Sequence, residues 1–273
     1  MYSIKGSVTA ISTQVCGACS SAHDLMQTVF VAVAINQRYN GATGARNSES
    51  FGSIVSNGSA VDAIFRSSVY VYVADISTLD SDSDDTGLDW KLQGWFPIHA
   101  QSMGQGLHCE EVMSMCWIED CTNFERSLMK RSPTLLVGSS SRCQAYVNHQ
   151  QFNRWDIAPD ILDIAVDPSN GCSSVAWAPG DIERSTAFDS MAVMAAIATG
   201  EEVLLVNIGL HIDEGRQRGQ GGRIVARLKH GAQIEHIAWN IIGTALATSD
   251  SSGITRIWGP NLLSEWEEQQ RVE

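Results

Sequence analysis

Two groups of residues in this chain have the types and spacing that could support chemistry, and a nucleophile with a base would be a third. The first is Cys16-Gly-Ala-Cys19 followed by His23, because a C-x-x-C pair is both half of a zinc site and a redox motif. A structural zinc site needs four ligands, and the sequence contains no second C-x-x-C. Cys16, Cys19 and His23 are therefore a candidate metal or redox site, and the alternative is that the two cysteines are ordinary residues of a strand.

The second group is acidic. Asp80, Asp82 and Asp84 have the alternate spacing of a calcium-binding loop. The sixth position of that loop would be Asp85 where glycine is needed, and the twelfth would be Lys91 where a bidentate glutamate is needed. We therefore expect a solvated acidic segment and no calcium site.

The third group would be a nucleophile with a nearby base, and the sequence offers none with a recognised spacing. It contains no G-x-S-x-G, no H-E-x-x-H and no glycine-rich phosphate loop. His230 and His236 flank an apolar segment near the end of the chain, where a polar residue more often satisfies backbone groups than performs catalysis. We predict a protein that is not an enzyme and that needs no cofactor.

Composition narrows the class of partner. The chain has 273 residues, 44% of them hydrophobic, and a net charge of −13. That charge argues against direct nucleic-acid binding, which needs a basic face. The longest apolar runs, 29–35 and 192–198, are far shorter than a membrane span, so we expect no transmembrane segment. Seven cysteines, among them Cys116, Cys143 and Cys172, suggest reduced thiols inside the cell.

These residues need a scaffold, and an internal repeat predicts it. Trp117, Trp177 and Trp239 recur at intervals of about 60 residues, each ending the pattern apolar-x-x-apolar-small-Trp. After each tryptophan come a strand of small residues, an alternating strand and a more polar strand. A weaker copy of the unit fits the start of the chain, with Val8 and Ile11 in its first strand.

Four such units predict an all-β fold, a WD40-type β-propeller with about four blades. We expect one propeller domain over residues 1–273, with blades near 1–98, 108–159, 161–229 and 230–273. Trp117, Trp177, Trp239 and Trp258 are predicted to be its structural anchors, with the first three mostly buried between blades. An ordinary β-sandwich with accidental periodicity is the alternative fold. Polar insertions at 120–133 and 180–191 fall at the same place in successive units, which favours one face for partners.

The last fifty residues carry a family resemblance. The run Ile-Ala-Trp-Asn-Ile-Ile-Gly-Thr-Ala-Leu-Ala-Thr-Ser-Asp, then Gly-Ile-Thr-Arg-Ile-Trp and Pro260-Asn261-Leu262-Leu263, resembles the final blade of the Seh-family nucleoporins. That family is related to the Sec-thirteen propeller shared by the nuclear pore and the COPII vesicle coat. Supporting similarities are Pro133-Thr-Leu-Leu-Val-Gly-Ser and Gly222-Arg-Ile-Val-Ala-Arg.

The resemblance implies an open six-bladed propeller, of which this chain would hold four blades and lack the first. It implies a non-enzymatic scaffold of the nuclear-pore outer-ring Y complex, at the nuclear envelope, that serves protein and mRNA transport. It also implies a role in the SEA/GATOR complex, in the cytoplasm or at the vacuolar or lysosomal surface. The partner implied is an α-solenoid nucleoporin that inserts a blade into the open propeller. The alternatives are a COPII-type coat propeller and, in another class, a metal or redox protein built on Cys16 and Cys19.

Overall fold

A computed structural model describes ten segments of the chain: residues 7–20, 24–39, 64–75, 90–98, 110–118, 134–149, 154–159, 161–179, 192–209 and 222–273. All regular structure in these residues is β-strand. The first sheet consists of β1 (Ser7–Ser20), β2 (Asp24–Tyr39), β3 (Ile64–Asp75) and β4 (Lys91–Ile98). The second consists of β5 (Val112–Ile118), β6 (Thr134–Ser139), β7 (Arg142–His149), β8 (Arg154–Ile157) and β9 (Asp163–Ala165). The third consists of β10 (Ser174–Trp177), β11 (Ala192–Thr199), β12 (Glu202–Gly209) and β13 (Arg223–Lys229). The fourth consists of β14 (Ile234–Trp239), β15 (Leu246–Asp250), β16 (Thr255–Pro260) and β17 (Trp266–Val272).

Each sheet is an antiparallel meander in which strands pair in chain order. The strands are rich in valine, isoleucine and alanine, which fit a pleated surface that is packed on both faces. The turn between β11 and β12 has two residues, with Thr199 paired to Glu202. Gly200 occupies the left-handed region there, at φ 57°, a conformation that glycine adopts without steric cost.

The fourth strand of the second sheet is divided in two. β8 pairs with the end of β7, and β9 pairs with its beginning, so both lie along the same edge. Arg142 on β7 makes hydrogen bonds of 2.9 Å to both carboxylate oxygens of Asp163 on β9. This two-point contact fixes the short β9 segment against the sheet.

The sheets pack face to face in chain order, with their first strands adjacent: β1 contacts β5, β5 contacts β10, and β10 contacts β14. Three hydrophobic clusters fill the three junctions between neighbouring sheets. No comparable contact joins the first sheet to the last within the described strands. This arrangement confirms the predicted all-β, WD40-type propeller architecture.

Several predicted features lie outside the described residues: the acidic segment with Asp80, Asp82 and Asp84, His23, and the insertions at 120–133 and 180–191. No helix in the described part of the chain has the length and apolar character that a membrane span requires.

Candidate protein-interaction faces

A buried network of four polar side chains fixes the last sheet. The hydroxyl of Thr248 lies 2.8 Å from Nε2 of His230 and accepts a hydrogen bond of 2.8 Å from Nε1 of Trp258. Nδ1 of His230 lies 3.3 Å from Oδ2 of Asp250. Asp250 also accepts hydrogen bonds from the backbone amides of Ser252 and Ile254, and it thereby shapes the turn between β15 and β16.

The electrostatics of this network are structural. Burial lowers the pKa of His230, so the imidazole is neutral at physiological pH. Hydrogen bonds from Ser252, together with those from His230 and the turn amides, lower the pKa of Asp250 to about 2. His230 therefore bonds to side chains, whereas the sequence interpretation had histidines at this end satisfying backbone groups. His236 lies apart from the network and is exposed.

The predicted tryptophan anchors lie at the junctions between sheets. Trp117 and Trp177 are buried, at 3% and 7% exposure, and Trp258 is buried within the four-residue network. Nε1 of Trp117 donates to the carbonyl of Ser12 on β1, and Nε1 of Trp239 donates to the carbonyl of Ala176 on β10. These two indoles thus connect the first strand of one sheet to the first strand of the preceding sheet.

Trp239 corrects one expectation, because it is half-buried and not mostly buried. The sequence equates it with Trp117 and Trp177, and like them it faces the preceding sheet. Among the described residues, Trp117 contacts the rings of Phe30 and Trp155, whereas Trp239 contacts the ring of Trp266, which is itself half-buried. Part of the Trp239 indole therefore stays accessible.

The second and third sheets each contain a row of paired residues that faces the next sheet. In the second sheet, Cys116 pairs with Leu136, which pairs with Ala145. Leu136 and Ala145 are fully buried by the third sheet. In the third sheet, the corresponding residues beyond Ala176 are Ala196 and Leu205, which are fully buried by the fourth sheet.

The same row in the last sheet is uncovered. Ala238 pairs with Ala247, which pairs with Ile257. Ala238 is exposed, and Ala247 and Ile257 are half-buried. We call this surface the last outer face; it also includes His236, Ser249, Thr255 and Val272. It is shallow and built from small or β-branched residues, and it occupies the position where each earlier sheet receives the next.

The first sheet has an uncovered face of a different character. Ile11 pairs with Val33, which pairs with Tyr70, which pairs with Trp95. Ile11 and Trp95 are exposed, while Val33 and Tyr70 are half-buried. The rings of Tyr70 and Trp95 stack with their centroids 6.3 Å apart. This row, with Val31 and Tyr72 beside it, forms what we call the first outer face; the opposite side of the sheet packs on the second sheet.

The two outer faces differ as binding surfaces. The first offers aromatic and β-branched side chains that can contribute large apolar area. The last offers small side chains that allow close approach of another sheet. Contiguous apolar surface of this kind marks interaction sites in soluble proteins. The open propeller that the family resemblance implies would leave uncovered surface on its first and last sheets, but the resemblance does not indicate which side chains compose that surface.

The candidate metal or redox residues lie in the first hairpin. Cys16 pairs with Thr28 and Cys19 pairs with Leu25 in the ladder between β1 and β2, and His23 lies outside the described residues. Among the described residues, no cluster contains three or more side chains that could bind one metal ion. At the junction of the second and third sheets, a hydrogen bond with Cys172 and burial raise the pKa of the Cys143 thiol. Raised pKa values disfavour the thiolate that nucleophilic or metal chemistry requires.

The sequence analysis did not predict the buried hydrogen-bond network around Thr248. Its members are separated by up to 28 residues and meet because β15 and β16 pair next to the segment that precedes β14. The available signal was Asp250 before two serines and Gly253, followed by Trp258 at the end of the next strand. An aspartate in a tight turn after a strand commonly bonds backbone amides.

One comparison with known proteins supports the Seh-family resemblance. No protein-family model matches the sequence. Over 125 residues the chain is 29% identical to Protein SEH1 of Arabidopsis thaliana, and this confirms the Seh-family resemblance for that part of the chain. The alignment spans 45% of this chain and 35% of that relative's length.

Solved structures with a similar arrangement include Sqt1 from Chaetomium thermophilum, which is 14% identical with a TM-score of 0.46. The match covers 98% of this chain and 62% of that one. A chain of the Chaetomium thermophilum Polycomb Repressive Complex 2, in a humanized mutant bound to the inhibitor GSK343, is 14% identical with a TM-score of 0.40. That match covers 59% of this chain and 31% of the other. We draw no functional conclusion from likeness at this level.

Proposed function

We propose that this chain is a non-enzymatic scaffold propeller, a subunit of the nuclear-pore outer-ring Y complex that acts in protein and mRNA transport. It is located at the nuclear envelope, and it also serves the SEA/GATOR complex. Residues 1–273 form one propeller domain in this proposal. Its partner is an α-solenoid nucleoporin that supplies a β-sheet blade. The similarity to Protein SEH1 supports the family, and the whole-protein role is our extension of it.

The observation that carries the proposal is the pair of uncovered faces. The third sheet completely covers the row Leu136–Ala145, and the fourth sheet completely covers the row Ala196–Leu205. The equivalent Ala247–Ile257 row has no covering sheet in the described structure. A partner's sheet placed on this row would repeat a packing arrangement that the chain already makes twice. It would gain affinity from the burial of apolar side chains.

Because the two outer faces differ, the two sides of the inserted blade need different side chains. The side that meets the last outer face needs larger apolar residues, because Ala238 and Ala247 leave room above them. The side that meets the first outer face must fit around Tyr70 and Trp95. Complementary volumes of this kind are what allow packed layers to interdigitate at native density.

The proposal is tested by co-expression and purification with the strand-bearing end of an α-solenoid nucleoporin. We expect a monodisperse complex from the unsubstituted chain and loss of that complex with Ala238→Arg, which places a charge on the last outer face. Ser251→Arg is the matched control, since Ser251 is exposed in the turn between β15 and β16 and lies off the face. The control should retain the complex.

Two outcomes would contradict the proposed class of protein. One is co-purification with a COPII coat subunit in place of the nucleoporin, which would assign the chain to the vesicle coat. The other is stoichiometric zinc in the purified protein that is lost with Cys16→Ser and Cys19→Ser, which would assign it to metal chemistry. Full retention of the complex by Ala238→Arg would also contradict the interface.

A further inference from the structure

Two turns at one end of the last sheet are built alike. In the turn between β14 and β15, Oδ1 of Asn240 accepts hydrogen bonds of 2.8 and 3.1 Å from the amides of Thr244 and Ala245. In the turn between β16 and β17, Oδ1 of Asn261 accepts hydrogen bonds of 2.9 and 3.0 Å from the amides of Leu263 and Glu265. The fourth residue of each turn, Gly243 or Ser264, has left-handed φ, at 66° and 62°.

Each turn presents two aliphatic side chains to solvent. Ile241 and Ile242 are 92% and 60% exposed, and Leu262 and Leu263 are 104% and 78% exposed. Single exposed aliphatic residues are common on protein surfaces. Four of them at the tips of two hydrogen-bonded turns are different, because the turns hold them in place and no packing in the described structure uses them.

The topology sets the distance between the two turns. In the order β14-β15-β16-β17, both turns lie at the same end of the sheet, two strand spacings apart, or about 10 Å. An α-helix with its side chains is about 10–12 Å in diameter, so one helix lying across the two turns would contact both of them. Exposed Pro260, the last residue of β16, lies beside the second turn.

The turns are held rigidly relative to each other and to the third sheet. A Cβ on Gly243 would lie 2.2 Å from the carbonyl oxygen of Pro179, so the first turn rests directly on the segment after β10. Trp239 and Trp266, which border the two turns, contact edge to face with centroids 5.6 Å apart. A preformed apolar site loses less conformational entropy on binding than a flexible one.

The charges around the turns are acidic. The sequence has no lysine or arginine from 230 to 255 or from 257 to 270. Glu265 and Glu267 are exposed beside the second turn, and the whole chain carries −13. An occupant with flanking positive charge would therefore be favoured, and an anionic lipid surface would be repelled.

We propose that these paired turns bind an amphipathic α-helix of a partner protein. The helix would present leucine or isoleucine at i, i+3, i+4 and i+7 to Ile241, Ile242, Leu262 and Leu263. It would carry lysine or arginine on its flanks toward Glu265 and Glu267. This is helix-in-groove recognition, at the end of the sheet and apart from both outer faces.

The test uses the full chain and a fluorescein-labelled synthetic peptide of about 18 residues, five helical turns, with a leucine stripe and lysine flanks. Fluorescence anisotropy should show saturable binding. Replacing all four aliphatic residues by serine should weaken binding by about tenfold or more. Ile157→Ser, which removes an exposed isoleucine from β8, should leave affinity unchanged. A peptide with glutamate in place of every lysine should bind more weakly.

A second measurement does not depend on folding of the variant. A benzophenone placed on the apolar face of the peptide should crosslink to residues 240–245 and 261–265 of the unsubstituted chain. Crosslinks elsewhere, or affinity unchanged by the four serines, would overturn the proposal. So would turn-dependent binding of phosphatidylcholine vesicles without peptide binding, or turn-dependent self-association of the chain, since either would identify a different occupant.

Discussion

The indole nitrogen of Trp117 donates a hydrogen bond of 3.1 Å to the backbone carbonyl of Ser12, and the two residues lie on the first strands of neighbouring sheets. Trp239 makes the equivalent bond of 3.3 Å to Ala176, two sheets further along the chain. These two tryptophans therefore fix the distance between neighbouring sheets as well as filling their junctions. This connection makes their contributions to stability directly comparable.

Truncation of these tryptophans should have unequal costs. Trp117→Ala removes a fully packed indole that also contacts Phe30 and Trp155, so we expect a loss of about 3–5 kcal/mol in the free energy of unfolding. Trp239→Ala removes a half-buried indole and should cost less, about 1–3 kcal/mol. Urea unfolding followed by circular dichroism would measure both. Equal losses would show that the indole of Trp239 is packed as fully as that of Trp117.

Loss of the Thr248 hydroxyl should destabilise the last sheet. Thr248→Val keeps the size of the side chain but leaves Nε1 of Trp258 and Nε2 of His230 without their shared partner. We expect a loss of about 2–4 kcal/mol, because buried unsatisfied polar groups cost more than the bond itself contributes. Ser249→Ala, at the next position of β15 and on the opposite side of the sheet, is the control and should cost under about 1 kcal/mol.

Acidification should destabilise the fold in two stages. The folded-state pKa of His230 lies below its ordinary value of 6.5, so the unfolded chain binds a proton first as pH falls through 6.5, and stability decreases. The pKa of Asp250, about 2 against an ordinary 3.8, adds a second loss below pH 4. Melting temperatures measured at pH 7.5, 6.0 and 5.0 should fall, and His230→Asn should reduce that fall. A rise in melting temperature on acidification would contradict the assignment.

Two glycines form a matched pair for testing the contact between sheets. Gly243 and Gly253 both have left-handed φ, at 66° and 86°. A Cβ on Gly253 would meet no atom within 4 Å, so Gly253→Ala should cost only the backbone term, about 1–2 kcal/mol. Gly243→Ala must also displace the Pro179 carbonyl and should cost about 1–3 kcal/mol more. Equal unfolding free energies for the two variants would show that the first turn does not rest on the third sheet.

Much of the fold could be predicted from local patterns. The pattern apolar-x-x-apolar-small-Trp in Ile234–Trp239, and its recurrence at Trp117 and Trp177, predicted successive short strands, because such patterns are local properties of the sequence. β9 was not predicted as part of the second sheet, since three residues carry no periodic signal. Its position depends on the ion pair between Arg142 and Asp163, which is a tertiary contact.

The candidate site was less accessible to sequence reasoning. Residues such as Ala238 and Ala176 look the same in the sequence, and only the packing shows that one is uncovered and the other leads into a buried row. Asn240 and Asn261 could have suggested turns, but not that both turns lie at one end of the same sheet. These properties depend on which sheet neighbours which, and the repeat pattern is the same in every sheet.

In the proposed function, the first and last outer faces receive a sheet from a partner. The most direct measurement is photo-crosslinking from p-benzoylphenylalanine placed at position 11 on the first outer face or at position 238 on the last, in the presence of the α-solenoid nucleoporin. We predict that both positions crosslink to strand residues of that one partner, and that position 157 on β8 does not. Absence of crosslinks from positions 11 and 238, or equal crosslinking from position 157, would contradict the claim.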